Sequence, residues 1–266
     1  MLSILQVTPA VLVDNLVVHY RRSKVNASSI KELLVDLFRI KKKMLRAQAH
    51  DGVIKALDGV SLEIQRGEVY GIIGRNGSGK STLLKVLSRI ILPTRGRVQI
   101  WGRVSPLLGV GAGFHRELTG RENIYLYSAI LGRSQARTRE LFDEIVAFAE
   151  LEEFIDEPIR TYSSGMVARL GFAVAMAEVP EILLVDEVLA VGDERFKDKC
   201  NARFQEFTAQ GSTIIFVSHN MHAVQEMCSR VSWIHQGKLL MTGDATTVIN
   251  EYRKFIRREQ DFVKSV

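Results

Sequence analysis

One stretch restricts the fold more than any other. Residues 69–83 read V-Y-G-I-I-G-R-N-G-S-G-K-S-T-L, an apolar run that enters a glycine-rich turn and leaves as a helix. Strand, turn and helix in that order are the units from which α/β layers are built. Gly74, Gly79, Lys80 and Ser81 occupy the fixed places of G-x-x-x-x-G-K-S. Gly74, Gly77 and Gly79 let the backbone N–H groups of the loop, with Arg75, Asn76 and Ser78 between them, converge on phosphate oxygens where a Cβ would clash. A helix opening at about Lys80 turns its positive end toward the same oxygens. Lys80 then neutralises the β- and γ-phosphates, and Ser81, or less readily Thr82, supplies a hydroxyl to Mg²⁺. An ordinary glycine-rich βα turn has no reason to place a lysine and two hydroxyls directly after the glycines. Residues 74–82 are therefore expected to hold a nucleotide.

A phosphate loop alone does not hydrolyse anything; that needs metal placement and water activation. Ile182 to Glu187 reads I-L-L-V-D-E, four apolar residues ending in adjacent carboxylates. That pattern suits a buried parallel strand with its acids at the C-terminal edge, where α/β sites lie. Asp186 can hold Mg²⁺ directly or through water, and Glu187 can polarise the attacking water. Either acid alone is an ordinary strand-end charge; the pair following a phosphate loop is not. A second apolar run, Thr213 to Val217, ends in Ser218-His219, which places His219 to contact the γ-phosphate or orient Glu187.

The remaining chain reads as follows. Ala10 to Tyr20 contains an Asp-Asn break and suggests a short strand pair or an edge strand. Ile54 to Ile64 suggests two short strand segments around Asp58-Gly59. The helix after the loop is expected to run to about Ile90, with Gly96 supplying a turn beyond Pro93. Three glycines within five residues at 109–113 mark mobile or closely approached backbone between Ser105 and Phe114. Thr119 and Glu122 have capping-box spacing, a second helix is expected from Thr138, and residues 120–175 read as mostly helical. A hairpin is expected around Gln236-Gly237, then one amphipathic helix from Thr246.

Residues 21–55 are unusual. Ser29 and Glu32 again have capping-box spacing, and Ile30, Leu33, Leu34 and Leu37 share a helical face before the basic run Arg39, Lys41, Lys42, Lys43 and Arg46. This is either a solvated basic helix or an amphipathic element near a membrane surface or a partner's cytoplasmic end.

Charge adds little, since 36 basic residues against 30 acidic ones leave a net charge of +6. Cys200 and Cys228 lack metal-ligand spacing and fall in helical-looking stretches, so they are expected to be buried or spectator thiols in a reducing compartment. The opening M-L-S-I-L-Q-V-T-P-A has neither a basic n-region nor a long apolar core, so it is expected to be neither a signal peptide nor a membrane span. No window of 18 clean apolar residues appears, so any role at a membrane is expected to run through a partner.

With the phosphate loop, Asp186-Glu187 and Ser218-His219 in that order, the chain resembles the ATPase subunit family of ABC transporters. Tyr162-Ser163-Ser164-Gly165-Met166 occupies the place of the family signature, usually L-S-G-G-Q. Ala190-Val191-Gly192-Asp193 resembles the loop usually written S-A-L-D, with Asp193 its acid, and Tyr20 resembles the aromatic that stacks on adenine. The resemblance covers about residues 10–245. It implies an α/β fold: a P-loop NTPase core with an antiparallel β subdomain and an inserted helical subdomain at about 120–175. It also implies ATP and Mg²⁺, with Lys80, Glu187 and His219 as the catalytic set and Ser81 and Asp186 on the metal. Two copies would face head to tail, each ATP lying between one copy's phosphate loop and Ser163, Ser164 and Gly165 of the other. Integral membrane permease subunits would hold the pair peripherally at the cytoplasmic face of the cell membrane.

Several departures narrow the resemblance. The loop after the Val98 strand usually carries a glutamine that reaches Mg²⁺; Gly109 to His115 reads G-V-G-A-G-F-H and contains none. Y-S-S-G-M, L-T-G-R-E-N at 118–123, A-V-G-D and the early insertion together resemble the ATPases of polysaccharide exporters. Those move lipid-linked O-antigen, galactan, capsule or teichoic acid chains. The branch implies a cargo handled mainly by the permease, and no nucleic acid. Residues 246–266 are expected to be a short helix rather than a separate carbohydrate-binding domain. Other readings are an ABC transporter ATPase for another cargo, a soluble ATPase of the same superfamily working without a membrane partner, and a P-loop metabolic kinase. The kinase would have no use for Tyr162–Gly165.

Overall fold

The phosphate-loop strand, β3 (Val69–Ile73), is buried along its whole length. In the computed structural model, which describes residues 8–21, 53–107, 111, 113–186 and 194–264, it lies inside a six-stranded sheet. The sheet order is β5 (Val104–Leu107), β6 (Ile182–Asp186), β7 (Thr213–Val217), β3, β8 (Arg230–His235) and β9 (Lys238–Asp244). Neighbours are parallel except β8 and β9, which form the antiparallel hairpin. Both faces are covered, which is why β3 and β7 are apolar without alternation. Gln236 and Gly237 turn the hairpin with φ of 48° and 77°, the positive pair that a two-residue turn of this hand requires.

A second, antiparallel sheet has the order β2 (Val53–Ile64), β1 (Val11–Arg21), β4 (Arg95–Ile100). Here the structure corrects three sequence expectations. β1 is neither a strand pair nor an edge; it is one strand in the centre of the sheet. β2 is likewise unbroken over its 12 residues. The Asp-Asn and Asp-Gly signals are bulges rather than breaks. Asn15 takes φ 46° as the register shifts between Val13 and Leu16, and Gly59 takes φ 79° opposite it. Gly96 lies inside β4, paired with β1, rather than in a turn, and the position needs glycine because a Cβ there would overlap the Asn15 carbonyl.

Helix α1 (Lys80–Leu87) packs between the two sheets. Leu83, Leu84, Val86 and Leu87 join Tyr70 and Ile72 of β3 and the inner residues of β1 and β2 in one apolar cluster. The helix stops short of Ile90 because Arg89 turns to φ 58°. Val69 and Ile73, on the other face of β3, belong to a second cluster with the helices. Those are α2 (Gly120–Ile130), α3 (Gln135–Ala149), α4 (Ser164–Ala175), α5 (Glu194–Ala209), α6 (Met221–Met227) and α7 (Ala245–Lys264). Thr119 and Glu122 form the expected capping box of α2. Ser134 caps α3, starting it before Thr138. Strand β5 was not expected from the sequence. It pairs with β6 at the sheet edge, where Pro106 is tolerated. Both cysteines are buried, and burial pushes each thiol up to about 12.

The end of α4 is held by a charged cluster. Arg133 donates to Glu178 at 2.6 Å and to the Val174 carbonyl at 2.5 Å, and Arg137 donates to the other Glu178 oxygen at 2.6 Å. Burial pushes the Glu178 carboxyl up, but the two guanidinium groups outweigh it and hold the group below the usual carboxylate range. Burial pulls Arg133 somewhat down against the opposing effect of Glu178. Arg133→Ala leaves the part-buried Glu178 carboxylate with Arg137 alone and takes the guanidinium from the last carbonyls of α4. We expect it to cost about 1–3 kcal/mol, the scale for leaving buried acceptors without their donor. Urea unfolding checks this; a loss below about 1 kcal/mol would place the cluster among ordinary surface pairs.

The expected amphipathic insertion falls largely outside the described residues, which exclude 22–52; its ends, Arg21 and 53–55, belong to β1 and β2.

Candidate nucleotide site

The loop between β3 and α1 is shaped by close backbone contact on both sides. A Cβ on Gly74, at φ 150°, would overlap the Ile234 carbonyl of β8. A Cβ on Gly79, at φ 112°, would sit 2.6 Å from the Ala56 carbonyl of β2. Gly77 faces open space and is required only by its φ of 77°. The Ser78 N–H donates to the Arg75 carbonyl at 3.1 Å, and the Gly237 N–H donates to the Ser78 carbonyl at 2.9 Å. The β8–β9 turn thus clamps the loop from outside.

Lys80 is buried and folds back over the loop, where Nζ donates to the carbonyls of Gly74 at 2.8 Å and Arg75 at 3.1 Å. The same cleft, about 720 Å³, is lined by Asn76, Gly77 and Gly79 through Thr82, by Asp186 at the end of β6, and by Tyr20 at the end of β1. Residues 69, 80 and 186 sit on three different elements, and the sheet brings the last two to one cleft. Ile54, Lys55 and Ala56 of β2 line its other wall. No motif marks these three. Their signal is that β2 pairs beside Tyr20, with Tyr20 opposite Ile54. The cleft passes a simple test for a magnesium–triphosphate ligand. It has a glycine cradle that a Cβ would fill, a buried cation, hydroxyls at Ser81 and Thr82, and a carboxylate at Asp186, the oxygen donors a hard cation takes. Ser78 Oγ is also buried with no hydrogen-bond partner among the described residues.

Other candidate residues lie elsewhere. The Arg75 side chain does not line the cleft; its guanidinium donates to Glu259 of α7 at 2.7 Å. His219 follows β7, is exposed and is likewise not among the lining residues. The strand register sets Asp186 against Val217, so His219 is two residues beyond the acid's neighbour. Glu187 and Asp193 lie outside the described residues.

Ser163, Ser164 and Gly165 start α4, away from this cleft. Ser163 Oγ caps the helix by accepting from the Met166 N–H at 3.2 Å. Ser164 lines a separate cleft of about 470 Å³ with Gly111, Phe114, Arg116 and Tyr162. Tyr162 anchors this turn rather than facing solvent: its hydroxyl donates to the Phe154 carbonyl at 2.5 Å, and burial pushes the phenol up to about 12.

Sequence reasoning missed Asn123. It is fully buried, accepts from the His115 N–H at 2.7 Å, and donates to the carbonyls of His115, Leu118 and Thr119 at 2.8–3.0 Å. One amide thus fixes residues 115–119, directly after the glycine-rich stretch. An asparagine one position from Ile124 and four from Tyr127, on the buried side of α2, was the available signal.

Comparison with known proteins follows the same lines. The sequence profile of the ABC transporter family matches residues 57–190. The O-antigen export system ATP-binding protein RfbB of Myxococcus xanthus is 46% identical over 249 residues, 93% of this chain and 56% of that protein. The RfbB protein of Klebsiella pneumoniae is 49% identical over 199 residues, 75% of this chain and 81% of that protein. The teichoic acids export ATP-binding protein TagH of Enterococcus faecalis is 46% identical over 209 residues, 79% of this chain and 46% of that protein. The chain thus spans about half the length of two of these relatives and four-fifths of the third. Among solved structures, a dimeric ATP-binding cassette in a post-hydrolysis state with ADP and Pi superposes with a TM-score of 0.67. It is 22% identical, and the match covers 88% of this chain and 98% of that one. The ATP-binding subunit of an ABC transporter superposes at 0.69 with 20% identity, covering 91% and 93%. At these identities the structures show a shared fold.

Proposed function

Because the chain belongs to the ABC transporter family, we propose that it is the ATP-hydrolysing subunit of an exporter for a lipid-linked polysaccharide of O-antigen, galactan or teichoic acid type. One observation carries the enzymatic part: Tyr20, the phosphate loop, Lys80, Ser81 and Asp186 meet in one cleft. The cargo rests on likeness to O-antigen and teichoic acid export proteins.

In this reading the adenine stacks on Tyr20 and the loop N–H groups receive the phosphates. Lys80 exchanges part of its hydrogen bonding to the Gly74 and Arg75 carbonyls for the β- and γ-phosphates. Ser81 and Asp186 would hold Mg²⁺, which when bound neutralises charge on those phosphates. Glu187 polarises the attacking water, and His219 contacts the γ-phosphate or orients Glu187. The separation of the two clefts supports a head-to-tail pair. Ser164 lines a different cleft from the phosphate loop, so the signature of one copy completes the site of another. Asp193 belongs to the same junction. ATP closes the pair and hydrolysis reopens it.

Among the described residues no helix is long and apolar enough to cross a membrane. In this reading the glycan moves through permease subunits that hold this subunit peripherally on their cytoplasmic side. The test is purification of the full chain from membranes in mild detergent. We expect an integral membrane protein to co-purify, Mg-dependent ATP hydrolysis, and a trapped lipid-linked saccharide identifiable by mass. Full turnover by the chain alone, with no membrane protein and no saccharide recovered, would overturn the exporter reading.

A further inference from the structure

The C-terminal helix α7 reaches the phosphate loop by two routes. The first is ionic. Arg75 is the residue directly after Gly74, and its Nη1 donates to Glu259 Oε2 at 2.7 Å. The carbonyl of the same Arg75 accepts from Lys80 Nζ at 3.1 Å. The second route is apolar. Phe255 packs against Trp233 and His235 of β8, each with ring centroids 5.0 Å apart, and Tyr252 packs against Trp233 at 5.5 Å. Between those two β8 residues lies Ile234, whose carbonyl presses on Gly74. Both routes therefore end on the two adjacent residues, Gly74 and Arg75, whose carbonyls hold the Lys80 ammonium.

We propose that Glu259 is a positioning residue for the nucleotide site: docked α7 pins Arg75 from outside, and Arg75 through its backbone fixes where Lys80 sits. The side chain of Arg75 stays out of the cleft, so this is not a contest between Glu259 and phosphate for one cation. Pinning the loop before nucleotide arrives lowers the ordering cost of binding. Arg75 and Glu259 are partly exposed, at 59% and 38% of their side-chain surface, so the coupling is modest and sensitive to salt.

This inference rests on the proposed ATP site, and direct binding separates the two. The full-length chain is titrated with a fluorescent ATP analogue and Mg²⁺, and its ATPase kcat and KM are measured. Glu259→Gln is expected to raise the dissociation constant and KM about two- to fivefold, with a smaller change in kcat, on the scale of an exposed ion pair. The shift is expected to shrink at about 1 M salt, where the screening length is a few ångströms. Arg75→Glu alone weakens binding, and the pair Arg75→Glu with Glu259→Arg recovers part of the loss, as direct coupling of the two side chains requires, while the KM effect outweighing the kcat effect separates positioning from a general loss of structure. Unchanged binding in Glu259→Gln at low salt, or strict additivity in the reversed pair, overturns the inference. Failure of the wild-type chain to bind nucleotide would instead overturn the ATP site itself.

Discussion

Replacing Lys80 with alanine is expected to lower ATP turnover by about 10²–10³-fold, the scale found when one preorganised electrostatic contact to a developing charge is removed. The effect has two sources in this chain. The ammonium is lost from the β- and γ-phosphates, and the Gly74 and Arg75 carbonyls lose the Nζ donor that holds them 2.8 and 3.1 Å away. Affinity should therefore fall together with kcat, because the empty loop loses its shape as well as its charge. Steady-state kinetics with direct nucleotide binding separate these contributions. Lys80→Arg should not rescue turnover. The planar guanidinium is larger than an ammonium, and this residue is only 6% exposed. Near wild-type kcat/KM in the alanine variant would remove Lys80 from the mechanism.

Glu187→Gln should have an effect of similar or greater size and a different character. General-base loss costs about 10²–10⁴-fold in the chemical step, while glutamine keeps the shape and the neutralised charge makes room for bound triphosphate. The variant should bind ATP and form a nucleotide-dependent dimer that persists, seen by light scattering after size exclusion. Lys80→Ala should form little of it. The contrast tests the division of labour directly. If Glu187→Gln turns ATP over at full rate, the water is activated elsewhere.

How much of this was readable from sequence follows from the range of the forces involved. β3, β6 and β7 carry unbroken apolar runs because both sides are covered, and a run of that kind is a local signal. The capping box at Thr119 and the turn at Gln236-Gly237 are also local, and both appear as expected. The misreadings involve residues whose meaning depends on a distant strand. Asn15, Gly59 and Gly96 look like breakers one at a time. Together they form one site, where Gly59 and Gly96 make room for the Asn15 side chain and carbonyl. β5 was hidden because its four residues contain Pro106 and its only strand partner among the described residues is β6. At the site, the glycine and lysine spacing was legible because phosphate chemistry imposes it. The wall formed by Ile54–Ala56, the Asn123 amide and the Arg75–Glu259 contact depend on pairing and packing across many residues, for which a single sequence offers no period or motif.

The two-sided burial of β3 has a thermodynamic consequence. Tyr70 and Ile72 build one apolar cluster with the antiparallel sheet, and Val69 and Ile73 build the other with the helices. Neither layer can detach without stripping one face of the same five-residue strand. The chain should therefore melt as a single cooperative unit rather than as separable layers. The loop that begins at Gly74 leaves from this shared strand. A bound nucleotide then stabilises both layers at once, and its binding energy is felt as raised protection from hydrogen exchange in parts of the molecule it does not touch.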